Sequence, residues 1–290
     1  MLERARSLLF VPGDQPDRVR KALASGADGV IIDLEDALSP ENRVIARTYL
    51  KDLQEQSLLP DSSILIVRVN SFGTPDFPLD LTAVLQAGVG AIMVPKFVAG
   101  EIARQLEAEI EKAENGAGCT APLLIIALIE TAAGVLSLLN SSFLPQRTLR
   151  LAFGAADYCA DLGISPSDQS APLDLAHSAL VLASAAAGLA PPLDSPYFSL
   201  DNDVGAQQSA QSARQKGYGG KLAIHPKQLP VIHESFQWSE AQLHWADEVL
   251  TAWQSPTRAG AGAIVVDGQL IDEAMVRRAR AISPDGAAPK

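Results

Sequence analysis

Short apolar runs rich in β-branched residues recur along the chain, each followed by polar residues and then by a stretch with helical spacing. That alternation marks βα units built on a parallel sheet. Eight runs predict strands at residues 7–11, 29–34, 64–70, 91–95, 123–129, 150–154, 191–194 and 221–224. The seventh is short and proline-rich, and the count and spacing of the other seven place it. Helical patterns lie between them at 41–56, 100–115, 172–188 and 203–216, with one more at 241–253.

Polar residues gather where these runs end. The ends read Pro12-Gly13-Asp14, Asp33-Leu34-Glu35-Asp36, Arg68-Val69-Asn70, Lys96, Glu130, Asp157, Asp194 and His225-Pro226. A closed barrel builds its active site from the C-terminal ends of all its strands. An open sheet would concentrate such groups at one switch point, and no G-x-G-x-x-G follows the first strand. The pattern therefore predicts an α/β fold, a (β/α)8 TIM barrel forming a catalytic domain over residues 1–254. Residues 255–290 are expected to form a hinge, a C-terminal lid and a tail. The hinge is predicted from the glycine-rich, proline-containing stretch 254–262, the lid from 263–266 and 272–282, and a disordered tail from 283–290.

Composition narrows the function. The chain has 290 residues, 47% of them hydrophobic, enough for one large core. Its 34 acidic and 23 basic residues leave a net charge of -11, which argues against a nucleic-acid or membrane partner and requires a local basic patch for any polyanion. The longest apolar stretch, 122–129, is far below the ~20 residues of a bilayer span. The apolar run after Arg4 and Arg6 breaks at Pro12-Gly13, too early for a signal sequence. A cytoplasmic protein, or an organellar one after processing, is expected. Cys119 and Cys159 have no metal or disulfide spacing and read as small core residues.

Several chemistries fail for want of a motif. There is no H-x-x-H or H-E-x-x-H pair for zinc and no G-x-S-x-G elbow for a serine nucleophile. His177, His233 and His244 lie in helical contexts and read as structural or surface groups. Lys96 could serve a Schiff-base aldolase, but acidic neighbours would keep its amine protonated. Gly217-Tyr-Gly-Gly-Lys221 reads equally as a weak phosphate loop or a turn before the last strand.

The acidic strand ends offer more. Glu130 closes a strand so apolar that both its faces must be buried, where a carboxylate needs a cation or hydrogen bonds. Asp157 repeats the placement one strand later, with Glu35 and Asp36 across the mouth. Such an all-oxygen set with few protein ligands suits Mg²⁺ that retains water and a chelating substrate. The alternative is that Glu130 pairs with Arg68 and Asp157 caps the next helix. Arg68 itself either points into the barrel mouth, to bind a carboxylate or an enolate oxygen, or snorkels outside.

Seven segments, in order, resemble the citrate lyase β-subunit and malyl-CoA lyase family, within the HpcH/HpaI aldolase–citrate lyase superfamily of CoA ester lyases. They are Arg6-Ser-Leu-Leu-Phe-Val-Pro-Gly13, Asp33-Leu-Glu-Asp36, Arg68-Val-Asn70, Val94-Pro-Lys96, Ile129-Glu-Thr131, Gly154-Ala-Ala-Asp-Tyr158 and Ile224-His-Pro-Lys-Gln228. The resemblance implies Glu130 and Asp157 as Mg²⁺ ligands, Glu35 and Asp36 as holders of metal-bound water, and Arg68 on the substrate. It also implies substrate contacts at Phe10, Pro12, Ala155, Ala156 and His225, with Arg18, Lys21, Lys221 and Lys227 as candidates for the phosphates of CoA. Asp267-Gly-Gln-Leu-Ile-Asp272 resembles the family's lid, whose last aspartate is an acid/base borrowed by a neighbouring subunit. For Asp272 the competing role is to cap the terminal helix.

What the resemblance implies is a Mg²⁺-dependent lyase that cleaves or forms a 3-hydroxyacyl-CoA, such as malyl-, citramalyl- or citryl-CoA, with a 2-oxoacid as the other partner. A homotrimer or hexamer follows if the lid is exchanged. Three other readings stay open: a citrate lyase β-subunit acting on a citryl-acyl carrier protein in a complex, a free-pyruvate class II aldolase, and a non-catalytic subunit that needs partners.

Overall fold

The computed structural model describes residues 2–55, 64–141, 143–165, 170–255 and 262–283. Strands β1 (Ser7–Pro12), β2 (Gly29–Asp33), β3 (Ile64–Arg68), β4 (Ala91–Val94), β5 (Leu124–Ile129), β6 (Thr148–Phe153), β7 (Leu193–Asp194) and β8 (Gly220–Ala223) pair in sequence order, all parallel. β8 returns to β1, so the sheet closes into the expected barrel. Helices α1 (Pro16–Leu23), α2 (Pro40–Glu55), α3 (Phe77–Gln86), α4 (Glu101–Ala117), α5 (Ala132–Asn140), α6 (Ala155–Leu162), α7 (Ala171–Ala186), α8 (Asp203–Lys216) and α9 (Leu229–Phe236) fill the connections. The seventh strand is real but only two residues long, because Pro191 and Pro192 lack the N–H groups needed to extend its ladder.

Alternation along the strands separates two cores. Leu8, Ile31, Ile66, Met93, Ile126, Leu128, Ala152, Leu193 and Leu222 pack together inside the barrel. Residues one step away, such as Val30, Ile32, Val67, Ile92, Ile125, Ala127 and Ala223, pack outward beneath the helices. Because successive side chains point to opposite faces, the inward register carried on to the strand ends reaches Phe10, Asp33, Arg68, Glu130 and Gly154.

The chain divides into two compact units after Phe236. The boundary differs from the expected one at residue 254, and α10 (Glu240–Gln254), read from sequence as the last barrel helix, belongs to the second unit. There Ala246, Val249, Leu250 and Trp253 pack with Ile271, Val276, Ala279 and Ile282 into a separate core. Its other elements are β9 (Ile264–Val266) and β10 (Gln269–Ile271), an antiparallel hairpin, and α11 (Glu273–Ile282). Most of the expected hinge, residues 256–261, and the expected tail, 284–290, lie outside the described residues. Among the described residues no helix is long and apolar enough to cross a membrane. Cys159 is buried as expected, but Cys119 is exposed, since it falls just beyond the end of α4.

Candidate active site

The inward register ends in a cavity of about 410 Å³ at the C-terminal mouth of the barrel. Phe10, Pro12, Arg18, Asp36, Arg68, Glu130, Ala155, Ala156 and Asp157, all expected at the site, line it together. Phe10, Leu128, Pro196, Phe198, Leu222 and Ile224 give it apolar lining, and Arg18, Asp33, Asp36, Arg68, Glu130 and Asp157 supply the charges.

Arg68 points into this mouth rather than snorkelling outside. Its Nε and Nη2 donate to Asp33 Oδ1 at 2.7 Å and Oδ2 at 2.6 Å, a bidentate clamp between residues that face each other in the β2–β3 ladder. Nη1 lies 3.2 Å from Glu35 Oε2 and 3.7 Å from Asp36 Oδ2. Burial disfavours the guanidinium charge, but the Asp33 hydrogen bonds and the three carboxylates hold it protonated above its ordinary range. Phe10 lies beneath, with its ring centre 5.0 Å from Arg68 Cζ. Asp33 also accepts from the backbone N–H groups of Glu35 and Ala37, so one buried carboxylate shapes the acidic turn and aims the arginine. Sequence reasoning placed Asp33 at a strand end without giving it this part; its signal was the in-register pairing of β2 with β3.

Glu130 is 1% exposed, and Arg68 is not its ion-pair partner. Its Oε1 accepts a hydrogen bond of 2.9 Å from the backbone N–H of Lys96. Burial, reinforced by repulsion from Glu35 and Asp157, pushes its pKa up to about 8 against the opposing pull of Arg68. A carboxylate so placed lacks a positive partner. Glu35 differs in having two positive partners. Burial raises its pKa in spite of Arg68 and Lys96, and its Oε2 accepts no hydrogen bond. Lys96, a non-glycine residue at φ 49°, spends that strain on bringing two groups inward: its N–H reaches Glu130 and its Nζ donates to Glu35 Oε1 at 2.7 Å. Burial would lower the Lys96 ammonium pKa, but the bond to Glu35 and the nearby carboxylates raise it, which speaks against a Schiff-base amine.

Asp157 lies in the first turn of α6 rather than at its cap, which is Gly154 with no side-chain bond. The capping alternative for Asp157 is thereby removed. Glu130 and Asp157 together form an anionic all-oxygen pair suited to a hard divalent cation. Among the described residues no cluster of three or more His, Cys, Asp or Glu side chains forms a fuller cage, so water and substrate would supply the remaining ligands.

Five expected residues take other places. Lys221, one step off the inward Leu222, is 3% exposed, forms a buried ion pair with Asp194 and lines an adjoining cavity rather than the mouth itself. Lys21 and Lys227 are exposed but do not line the cavity. His225 accepts from the backbone N–H of Lys227 and, with Gln228, forms a capping box beyond β8. Asp272 caps α11, its Oδ1 accepting from Met275 N at 3.0 Å, so the capping role is present. The glycine-rich 217–221 stretch is the turn into β8 and its first two residues, with Gly217 left-handed at the end of α8. The helical histidines are structural or exposed: His177 bonds Tyr218, His233 bonds Ser7, and His244 faces Glu248.

Known proteins match this chain over nearly its whole length. The profile of the HpcH/HpaI aldolase/citrate lyase family matches residues 6–226, which include every strand of the barrel. The citrate lyase subunit beta of Leuconostoc mesenteroides subsp. cremoris is 31% identical over 278 residues, covering 96% of this chain and 91% of its own length. An L-malyl-CoA/beta-methylmalyl-CoA lyase of Cereibacter sphaeroides is 31% identical over 297 residues, with 96% and 93% covered. Among solved structures, CitE from Mycobacterium tuberculosis in complex with magnesium, acetoacetate and coenzyme A superposes with a TM-score of 0.74 at 30% identity, over 98% of this chain and 99% of that one. A closed βα barrel with this acidic mouth, matched along its whole length, makes the chain a member of the HpcH/HpaI aldolase/citrate lyase family.

Proposed function

We propose that the chain is a magnesium-dependent carbon–carbon lyase that cleaves a 3-hydroxyacyl-CoA, such as malyl-, citramalyl- or citryl-CoA, into an acetyl-type CoA and a 2-oxoacid. The observation that carries this reading is the buried, cation-deficient Glu130 beside Asp157 and Arg68 in a single cavity. The names of the relatives, citrate lyase subunit beta and malyl-CoA lyase, point the same way. Glu130 and Asp157 would hold Mg²⁺, and the ion when bound supplies Lewis-acid polarisation of the oxygen that becomes the 2-oxoacid carbonyl.

The chain's own residues do the rest. In cleavage the hydroxyl proton leaves, the adjacent carbon–carbon bond breaks, and its electron pair passes to the thioester as an enolate that is then protonated on carbon. Arg68, fixed by Asp33 and kept charged, donates to the enolate oxygen. Phe10, Pro12, Ala155 and Ala156 pack against the acyl group, and Arg18 at the rim meets a CoA phosphate. Glu35 and Asp36 would hold water beside the bound ion. Asp272 of a second copy, released from its helix cap, would serve as acid/base, which requires an oligomer, with a trimer or hexamer expected; a monomer by light scattering would remove that role. A cytoplasmic location fits a CoA ester as substrate.

The test is incubation of the purified protein with Mg²⁺ and a panel of hydroxyacyl-CoAs, with mass detection of both products. Stoichiometric acetyl-CoA and 2-oxoacid, lost on adding EDTA, are expected. Turnover confined to a citryl-acyl carrier protein would move the assignment to a citrate lyase β-subunit.

A further inference from the structure

Helix α6 carries Asp157 in its first turn, yet its N-terminus has no cap of the ordinary kind. The capping position is Gly154, whose missing side chain leaves the first N–H groups of the helix without a local acceptor. The glycine is required there. A Cβ at residue 154 would stand 2.6 Å from both Cβ and Oε2 of Glu130, so serine, threonine, asparagine and aspartate are excluded by the carboxylate one strand away.

The acceptor comes instead from the next strand. Ser195 follows directly on β7, is 5% exposed, and accepts a 2.7 Å hydrogen bond from Ala155 N while donating at 2.8 Å to Phe153 O. Its single hydroxyl therefore fastens the last residue of β6 to the first of α6, with donor and acceptor both used. Its own position is fixed by the preceding residue, Asp194, which is buried in an ion pair with Lys221 on β8. The residue that an N-cap would occupy is given up to Glu130, and capping is transferred to a neighbouring strand.

We infer that Ser195 is a positioning residue for the Glu130–Asp157 pair, holding the first turn of α6 so that Asp157 meets the same cation as Glu130. The inference rests on the proposed metal role of that pair and adds to it a residue that does not line the mouth cavity. Without the hydroxyl, Ala155 N–H and Phe153 O lose their partners, and the turn bearing Asp157 loosens. Outer groups that orient metal ligands typically change affinity about 10–100-fold when removed.

The test is Mn²⁺ binding, followed by electron paramagnetic resonance on the full chain without substrate, alongside amide exchange at Ala155. Ser195→Ala is expected to weaken Mn²⁺ binding about tenfold and to speed Ala155 exchange by a similar factor, with kcat at saturating metal close to wild type. Ser195→Thr, which keeps the hydroxyl, should restore both. Ser209→Ala, a serine of α8 outside the clamp, should change neither. Faster Ala155 exchange with unchanged Mn²⁺ affinity would overturn the inference, because the clamp would then be structural only. Wild-type protein that binds no Mn²⁺ would overturn the metal pair itself and this inference with it. The two failures are distinguishable, since only in the first does wild type bind the ion.

Discussion

Arg150 and Glu130 lie on the same inward register at opposite ends of the barrel. In the β5–β6 ladder Arg150 pairs with Ile126, and Glu130 follows four residues further along. Both side chains are buried and ionisable, and their surroundings differ completely. At the floor, Arg150 donates from Nε and Nη2 to Pro191 O and from Nη1 to Leu2 O and Ala5 O, while no carboxylate among the described residues lies within ion-pair reach. Burial lowers its pKa to about 10, leaving it protonated at neutral pH, with carbonyls from two other segments meeting its donors. At the mouth, Glu130 faces two further carboxylates, and no cation pairs with it directly. A buried charge whose hydrogen bonds are complete closes a structure; one left incomplete waits for a ligand.

The largest break in this contrast is at the mouth. Glu130→Gln keeps the shape and removes the charge. Losing a metal ligand forfeits several kcal/mol of transition-state stabilisation, so turnover of the hydroxyacyl-CoA should fall about a thousandfold or more while folding is retained. Activity near wild type would end the ligand assignment. At the floor the same operation should do the opposite. Arg150→Met removes the donors to three buried carbonyls and should destabilise the chain by about 3 kcal/mol, read by denaturant titration, with kcat of the folded fraction unchanged. An equal loss of kcat would mean that the two ends are coupled.

Gly154→Ala sharpens the comparison at a smaller scale. The added methyl would lie 2.6 Å from Glu130 Cβ, an atom tied to the backbone, so the ligand must move. Divalent-cation affinity by calorimetry should drop about 10–100-fold, alongside a loss of roughly 1–3 kcal/mol in stability from the clash. A drop in stability without loss of affinity would show that the glycine serves packing alone.

The two ends were not equally legible in the sequence. Strands were readable because β-branched runs alternate with helical spacing, and the mouth was readable because its carboxylates stand where those runs stop. Facing was harder. Lys221 and Leu222 are one residue apart, and a slip of one step exchanges inside for outside; only the ladder with β7 and β1 fixes which of them meets the mouth. The Asp33 clamp on Arg68 and the Ser195 clamp on α6 join residues 35 and 40 apart, so no local pattern announces them. Arg150 looked like an ordinary strand residue, because backbone carbonyls carry no sequence signature. α10 has the spacing of any amphipathic helix, and that spacing does not say which core its apolar face meets.

The smallest expected effect concerns protons. Glu130 titrates near 8 in the folded chain against an ordinary value of 4.5. Between those values the folded state holds a proton that the unfolded state has released, so the contribution of Glu130 lowers stability as pH rises, with the full penalty reached above about 8 and none below 4.5. Glu35, also raised by burial, acts in the same direction. In EDTA, the thermal midpoint of the wild type should therefore fall more steeply from pH 5.5 to 8.5 than that of Glu130→Gln, by roughly a few degrees. Saturating Mg²⁺ should remove the difference in slope, because the ion replaces the proton, and its apparent affinity should rise with pH until Glu130 is ionised. Arg150→Met supplies the counter-experiment, since a guanidinium that stays charged across this range leaves the slope as it is. Equal slopes for wild type and Glu130→Gln would mean that Glu130 is already ionised without metal, and the contrast between a finished floor and an unfinished mouth would fall.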